Sequence, residues 1–151
     1  DAITEQSLVE IITESFEIIP PKYRADVELS IDLGHCPPVR VNRTEITQVF
    51  LAILQNAIEA MEGKGRITVA YHNDAQQHAI HIRDEGCGIS DDIRAQLFAP
   101  FFTTKKKDQH SGLGLNIARE IARKYGGDVI LVNYLPAEFA VSFKVTESAT
   151  V

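Results

Sequence analysis

Residues 111–115 read Ser111-Gly112-Leu113-Gly114-Leu115, and a stretch with the apolar spacing of an α-helix follows directly. Glycines at the start of a helix let the backbone come close to an anion, which then faces the free N–H groups of the first turn and the positive end of the helix dipole. A lone Gly-x-Gly is a weak signal, because glycines are common in loops. Other polar segments upstream make this one informative.

One of them is Asp84-Glu85-Gly86-Cys87-Gly88-Ile89, which comes after a predicted strand. A carboxylate at the end of a strand can accept a hydrogen bond from an exocyclic amine such as that of adenine, and the two glycines let a base approach the backbone. The alternative is an ordinary Asp-Glu-Gly turn, which this segment taken alone favours.

A second polar feature is Asn56, which lies inside a predicted helix with a wide apolar stripe. Asn is a poor residue for a helix interior, and this one is far from either end. Its amide oxygen is a hard ligand that can complete an octahedral Mg²⁺ shell made mainly of phosphate oxygens and water. On the helix alone, a solvated or internally satisfied polar group is the favoured alternative.

The third feature is the segment 97–107, which reads LFAPFFTTKKK. Three Phe beside a basic tract are unusual for a loop in an acidic protein. The aromatic part is suited to fasten a flap to the core, and the lysines are suited to meet phosphates by charge. A run of three Lys is usually solvated surface, and that interpretation is kept for at least one of them.

Composition indicates a single globular domain over residues 1–151. The chain is 44% hydrophobic and 24% charged, with a net charge of −6, which argues against general binding to nucleic acids or anionic membranes. No apolar run approaches the ~20 residues that span a bilayer, and the beginning of the chain lacks a signal-peptide pattern. Cys36 and Cys87 are far apart in the sequence, which favours free thiols in a reduced, cytoplasmic setting. The five His show no metal-ligand spacing.

Periodicity predicts the order of the elements. Helices are expected at 7–19, from Asn42 as N-cap to about Met61, at about 91–98 with Ser90 as cap, and from Gly112 to Tyr125. Strands are expected at 27–33, 39–41, 66–72, 79–83, 128–134 and 138–145, with 66–72 and 79–83 forming a hairpin. This mixture predicts one α+β domain with a helix layer on one face of a mixed sheet.

Taken in order, these features resemble a known family. Asn56, the D-x-G-x-G-I pattern at 84–89, F-x-P-F-F-T-T-K at 98–105 and S-G-L-G-L at 111–115 are similar to the motifs of the catalytic and ATP-binding domain of sensor histidine kinases. The superfamily also contains gyrase, Hsp90 and the mismatch-repair ATPases. The resemblance covers about Asp26 to Val145, and the Phe-rich motif points to histidine kinases rather than to the ATPases. It implies a two-layer α/β sandwich, the Bergerat fold, with a mostly antiparallel sheet covered by helices on one face.

The resemblance implies a role for each matched residue. Asn56 is similar to the Mg²⁺-binding Asn of the N box, and together with Lys105 it is expected to act in the transfer itself. Asp84 resembles the adenine-binding Asp of the first glycine box, which includes Gly86, Gly88 and Ile89. The ATP lid is represented by its F box, namely Phe98, Phe101, Thr103, Thr104 and Lys105. The second glycine box, which cradles the phosphates, is matched by Ser111, Gly112, Leu113, Gly114 and Leu115.

The sequence also departs from the family pattern. The N box commonly has a further Asn four residues before the Mg²⁺-binding Asn, and here that position is Ala52. The ATPases place a catalytic Glu at this position, so Ala52 argues against hydrolysis. The last glycine motif is replaced by Leu135-Pro136-Ala137-Glu138-Phe139. No His has the sequence context of a phosphoacceptor.

The resemblance therefore implies the ATP-dependent catalytic part of a histidine kinase in two-component signalling, with ATP and Mg²⁺ as cofactors. The implied partners are an acceptor-His dimerisation domain, normally in the same polypeptide, and a response regulator. The isolated domain is expected to be a cytoplasmic monomer without nucleic-acid or membrane contacts. Two alternatives stay open: an ATPase or Ser kinase of the same superfamily, and a nucleotide-sensing interaction module without catalysis.

Overall fold

The computed structural model describes residues 2–73, 76–99 and 114–144. The elements in chain order are β1 (Thr4–Gln6), α1 (Leu8–Ile18), α2 (Pro21–Arg24), β2 (Asp26–Asp32), β3 (Val39–Val41), α3 (Arg43–Ala60), β4 (Lys64–Asn73), β5 (Gln77–Arg83), α4 (Asp91–Arg94), α5 (Gly114–Lys124), β6 (Val129–Tyr134) and β7 (Ala137–Lys144). Every long helix and strand predicted from periodicity is present.

Local sequence explains where the central helix α3 begins and ends. The Asn42 side chain accepts a hydrogen bond from the backbone N–H of Glu45 at 3.0 Å, which satisfies one of the unpaired donors of the first turn. The helix ends at Ala60, and Gly63 beyond it takes a positive φ of 78°. The predicted N-cap and the predicted end of the helix near Met61 are therefore confirmed.

The main sheet has five strands in the order β2-β4-β5-β7-β6. β2 runs parallel to β4, while the other neighbours are antiparallel. The predicted hairpin of β4 and β5 and the mixed character of the sheet are confirmed. β1 and β3 form a separate antiparallel pair that brings Thr4 opposite Val41.

The core lies between this sheet and one layer of helices. Alternate residues of the strands are buried on the face that the helices cover, among them Ile67, Val69, Ile80, Ile82, Phe139, Val141 and Phe143. The central helix α3 packs against both α1 and α5, and its apolar stripe is fully buried. The implied two-layer sandwich is confirmed, and within the described ranges the structure has no helix of the length and apolarity needed to cross a membrane.

Short elements depart from the prediction. The helix predicted from 91 to about 98 ends at Arg94, and turns follow it. Ser90 was predicted as its cap, but within the described residues its side chain makes no capping hydrogen bond; its backbone carbonyl accepts from the N–H of Arg94 at 3.0 Å. β1 and α2 were not predicted, because segments of three and four residues contain too little of a period to be recognised.

Candidate functional site

Asp84 stands directly after β5, at the point where the sheet meets a glycine-rich loop. Asp84 is 3% exposed, and its Oδ1 accepts a hydrogen bond from the backbone N–H of Gly86 at 2.7 Å. Burial raises the pKa of this carboxyl, although the Gly86 N–H acts in the opposite direction. A carboxylate has two oxygens, and the bond to Gly86 uses one of them. The carboxylate is therefore buried, oriented by Gly86, and able to accept a hydrogen bond from a ligand through its second oxygen.

The glycines of this loop are required by close approaches of the backbone. A Cβ on Gly86 would lie 2.6 Å from the carbonyl oxygen of Ala60, at the end of α3. Gly88 has a φ of 81°, and a Cβ there would lie 2.6 Å from the carbonyl oxygen of Tyr134. Each of these contacts is closer than a side chain permits, so the loop lies flat against α3 on one side and against the β6–β7 turn on the other.

The β6–β7 turn supports both ends of the loop through its main chain. The N–H of Asp84 donates to the carbonyl of Ala137 at 3.1 Å, and the N–H of Ile89 donates to that of Tyr134 at 2.8 Å. This turn lies where the sequence departs from the family's last glycine motif. Sequence reasoning placed no site residue here, because any residue type can supply a main-chain carbonyl. The departure from the family motif was the one sequence feature that pointed to this turn.

Asn56 is half-buried on α3, four residues before Ala60. Residues four apart lie on the same face of a helix, about one turn from each other. Since a Cβ on Gly86 would lie 2.9 Å from the Cβ of Ala60, the face that holds Asn56 adjoins the first glycine loop. The structure thus brings Asn56 to the same side of the molecule as Asp84, Gly86 and Gly88.

Phe98 begins the Phe-rich segment and rests on the core. Its ring meets that of Phe139 edge-on, with the centroids 6.4 Å apart, and the Arg119 guanidinium lies 4.4 Å above it. Arg119 is itself held by Asp128, with 3.0 Å between Nε and Oδ1. Sequence reasoning missed Arg119, because a single Arg within a predicted helix has no distinguishing pattern.

The remaining predicted residues divide into two groups. Gly114 begins α5, and the side chain of Leu115 is buried in the core at 9% exposure, so it serves packing. The others lie outside the described residues, namely Phe101, Thr103, Thr104, Lys105, Ser111, Gly112 and Leu113.

With this geometry in view, residues 41–148 match the family model described as Histidine kinase-, DNA gyrase B-, and HSP90-like ATPase. The match covers more than half of the chain, which therefore belongs to this family. It is an ATP-binding domain of the kind found in sensor histidine kinases, as the sequence motifs indicated.

Individual relatives agree with this assignment. The chain is 34% identical over 131 residues to the signal transduction histidine-protein kinase AtoS of Escherichia coli (strain K12), covering 85% of this chain and 20% of AtoS. Sporulation kinase E of Bacillus subtilis (strain 168) is 31% identical over 130 residues, covering 84% and 17%. The chain thus spans about a fifth of the length of these curated relatives.

Among solved structures, the nucleotide-free catalytic domain of histidine kinase ThkA superposes with a TM-score of 0.81 at 29% identity, covering 95% of this chain and 96% of that one. A second structure shows ThkA in complex with response regulator protein TrrA, with a TM-score of 0.76 at 28% identity, and covers 95% of this chain and 42% of that one.

Proposed function

We propose that this chain binds Mg-ATP and transfers the γ-phosphoryl group to a His on a separate dimerisation domain, in a two-component pathway that continues to a response regulator. The observation that carries the proposal is the buried Asp84 carboxylate, oriented by Gly86 and set beside the α3 face that holds Asn56. Support for the partners comes from relatives that are sensor kinases and from the ThkA complex with a response regulator.

The residues that are present fit a nucleotide. The Asp84 carboxylate would accept a hydrogen bond from the exocyclic amine of a base, and the loop beside it has no side chain at positions 86 and 88. Gly114 opens α5, whose N-terminal N–H groups and dipole favour phosphate. Phe98, held between Phe139 and Arg119, fixes the start of the segment that resembles the ATP lid.

The donor set also fits Mg²⁺ held chiefly by the nucleotide. The described residues contain no group of three or more His, Cys, Asp or Glu able to hold a metal ion. Asn56 would supply one amide oxygen, and phosphate oxygens and water would complete the shell. When bound, the ion neutralises charge on the phosphate oxygens. Asn56 then orients the phosphates toward an incoming imidazole.

Hydrolysis is the competing reaction, and the chain is poorly equipped for it. Ala52 lies one turn before Asn56 on α3 and packs half-buried against the core, so this position offers no group to activate water. The ATPase alternative therefore has less support than histidine phosphorylation.

The test supplies the missing nucleophile. The purified chain is incubated with γ-labelled ATP and Mg²⁺, with and without an acceptor-His dimerisation domain in trans. We expect an acid-labile, base-stable label on the acceptor domain and only traces on the chain itself. Rapid release of phosphate without acceptor would favour the ATPase alternative, and tight Mg-ATP binding without transfer to a cognate acceptor would favour the sensing module.

A further inference from the structure

Four residues join the beginning of α3 to the end of α5, far from the glycine loop. The Tyr125 hydroxyl donates to Glu45 Oε1 at 2.6 Å and accepts from the backbone N–H of Asn42 at 2.9 Å. Lys124 Nζ lies 2.7 Å from Glu45 Oε2. These four residues, Asn42, Glu45, Lys124 and Tyr125, are called the α3–α5 clamp below. The α3 residues and the α5 residues that these bonds join are about 80 positions apart in the sequence.

The clamp is tied to the sheet as well. The carbonyl of Tyr125 accepts from the N–H of Lys144 in β7 at 3.0 Å. Asn42 is 8% exposed, so its backbone N–H is largely shielded from water and depends on the Tyr125 hydroxyl. The ammonium of Lys124 and then the hydroxyl of Tyr125 hold the pKa of Glu45 below its usual range. The charges and hydrogen bonds of the clamp are therefore mutually supporting.

The fully buried part of the α5 interface consists mostly of small side chains. The buried residues of α5 are Leu115, Ala118 and Ala122, spaced along one stripe. Alanine side chains form only low ridges, so their packing permits small axial shifts that interlocking larger side chains would oppose. The directional side-chain hydrogen bonds of the clamp, by contrast, join a defined point at the end of α5 to a defined point at the beginning of α3.

The position set at the clamp reaches the other end of both helices. Because the end of α5 meets the beginning of α3, the two helices run in opposite directions. Asn56 lies 11 residues after Glu45, about 16 Å along α3, and Gly114 lies 10 residues before Lys124, about 15 Å along α5 at the usual helix rise. A contact at one end therefore brings Gly114 and Asn56 to a similar level at the other.

We propose that Tyr125 and Glu45 are positioning residues, which set the distance between the start of α5 and Asn56 and hence the affinity for the phosphate end of the nucleotide. The inference rests on the proposed function, since it assigns the phosphates to these two elements. It names residues outside every motif that resembles the family pattern.

The contacts that hold the base end of the site do not involve α5. Asp84 and its glycine loop are held by Ala60, Tyr134 and Ala137, none of which contacts the clamp through the hydrogen bonds above. Loosening the clamp should therefore weaken binding of Mg-ATP and leave binding of adenosine unchanged. A variant that merely destabilises the domain would lower both affinities together.

The experiment compares Tyr125→Phe with Tyr71→Phe. Tyr71 is a matched control, because its hydroxyl also makes a short hydrogen bond, 2.6 Å from His78 Nδ1, but on the sheet away from α5. Mg-ATP affinity is measured by calorimetry and adenosine affinity by NMR titration, with thermal unfolding of each variant recorded alongside. For Tyr125→Phe we expect Mg-ATP binding to be weaker by about fivefold, which corresponds to the usual free-energy contribution of one hydrogen bond. Adenosine binding should be as in the parent. Tyr71→Phe should change neither affinity.

Four results would overturn the inference. Equal losses for Mg-ATP and adenosine in Tyr125→Phe would make the clamp a purely structural feature. Unchanged Mg-ATP affinity in that variant, or the same loss in Tyr71→Phe, would refute positioning while the proposed function stands. A parent chain that does not bind Mg-ATP would instead refute the proposed function, and the inference with it. Glu45→Gln offers an independent variant, and it should show the same selectivity as Tyr125→Phe.

Discussion

Asp84→Asn separates the affinity for a nucleotide from the stability of the fold. The substitution keeps the size of the side chain, and the Asn oxygen can still accept from the N–H of Gly86, which lies 2.7 Å from Oδ1 in the parent. The amide nitrogen that replaces the second oxygen is a donor, so it opposes the exocyclic amine of adenine instead of accepting from it.

The expected loss of affinity follows from the chemistry of that one contact. A hydrogen bond to a charged group contributes about 1–3 kcal/mol, which corresponds to Mg-ATP binding weaker by about 5- to 150-fold. Discrimination against GTP should weaken as well, because the variant no longer selects for an amine. The free energy of unfolding should not fall, since Asp84 is 3% exposed and burial raises its pKa, which means that the ionised form is disfavoured in the folded chain.

The matched control is Asp32→Asn. Asp32 also ends a strand, and its Oδ1 accepts from the N–H of the glycine two residues later, Gly34, at 3.1 Å, but Asp32 is exposed. Calorimetry with ATP and GTP and urea unfolding are carried out on both variants. If Asp84→Asn binds ATP as tightly as the parent, or if Asp32→Asn loses as much affinity, the assignment of Asp84 to the adenine is wrong.

The same carboxyl predicts a pH dependence. Because its folded-state pKa is raised, the folded protein binds more protons than the unfolded chain, and this carboxyl costs stability above its folded pKa, a cost that is relieved as the pH falls through that value. Binding has the opposite sign, since the ionised form accepts the amine. On acidification, the affinity of the parent for adenosine should therefore begin to decline at a pH above the usual pKa of an Asp side chain. Asp84→Asn should show no such decline. Adenosine is used because its lack of phosphates removes their titration; a pH profile shared by parent and variant would contradict the assignment.

Further predictions concern the metal, the loop and turnover. Asn56→Ala should fold normally, because Ala is the better helix former, yet it should abolish transfer to an acceptor domain in a labelling assay; the exposed neighbour Gln55→Ala is the control, and transfer at the parent rate by the Asn56 variant would exclude its role. Gly86→Ala would place a Cβ 2.6 Å from the Ala60 carbonyl oxygen, and urea unfolding should report a loss of about 1–3 kcal/mol; unchanged stability would mean that the loop does not lie against α3. The chain alone should hydrolyse ATP only at a trace rate, because Ala52 offers no base and a γ-phosphate without a positioned nucleophile lacks a proximity contribution of about 7–11 kcal/mol. Robust phosphate release in a coupled assay would disprove this.

The sequence by itself determined the elements and the family. Alternation and helical spacing are local properties, so the strands of the β4–β5 hairpin and the long helix α3, with its Asn42 cap, were predictable from a few neighbouring residues. Four ordered motifs sufficed for the family, because glycines and an Asp at a strand end reflect backbone requirements that residue types reveal. The helix predicted at 91–98 is too long, because α4 ends at Arg94 and turns follow it. These turns place Leu97 and Phe98 against the core, a contact that local spacing does not reveal.

Only the tertiary structure decided how these elements meet. The parallel pairing of β2 with β4, the burial of Asp84 and the support of its loop by Tyr134 and Ala137 depend on segments that are distant in the chain. The hydrogen bond of Tyr125 to Glu45 joins residues 80 positions apart. Such contacts have no signature in local periodicity, because their energy exists only once the helices are packed on the sheet and water is excluded from between them.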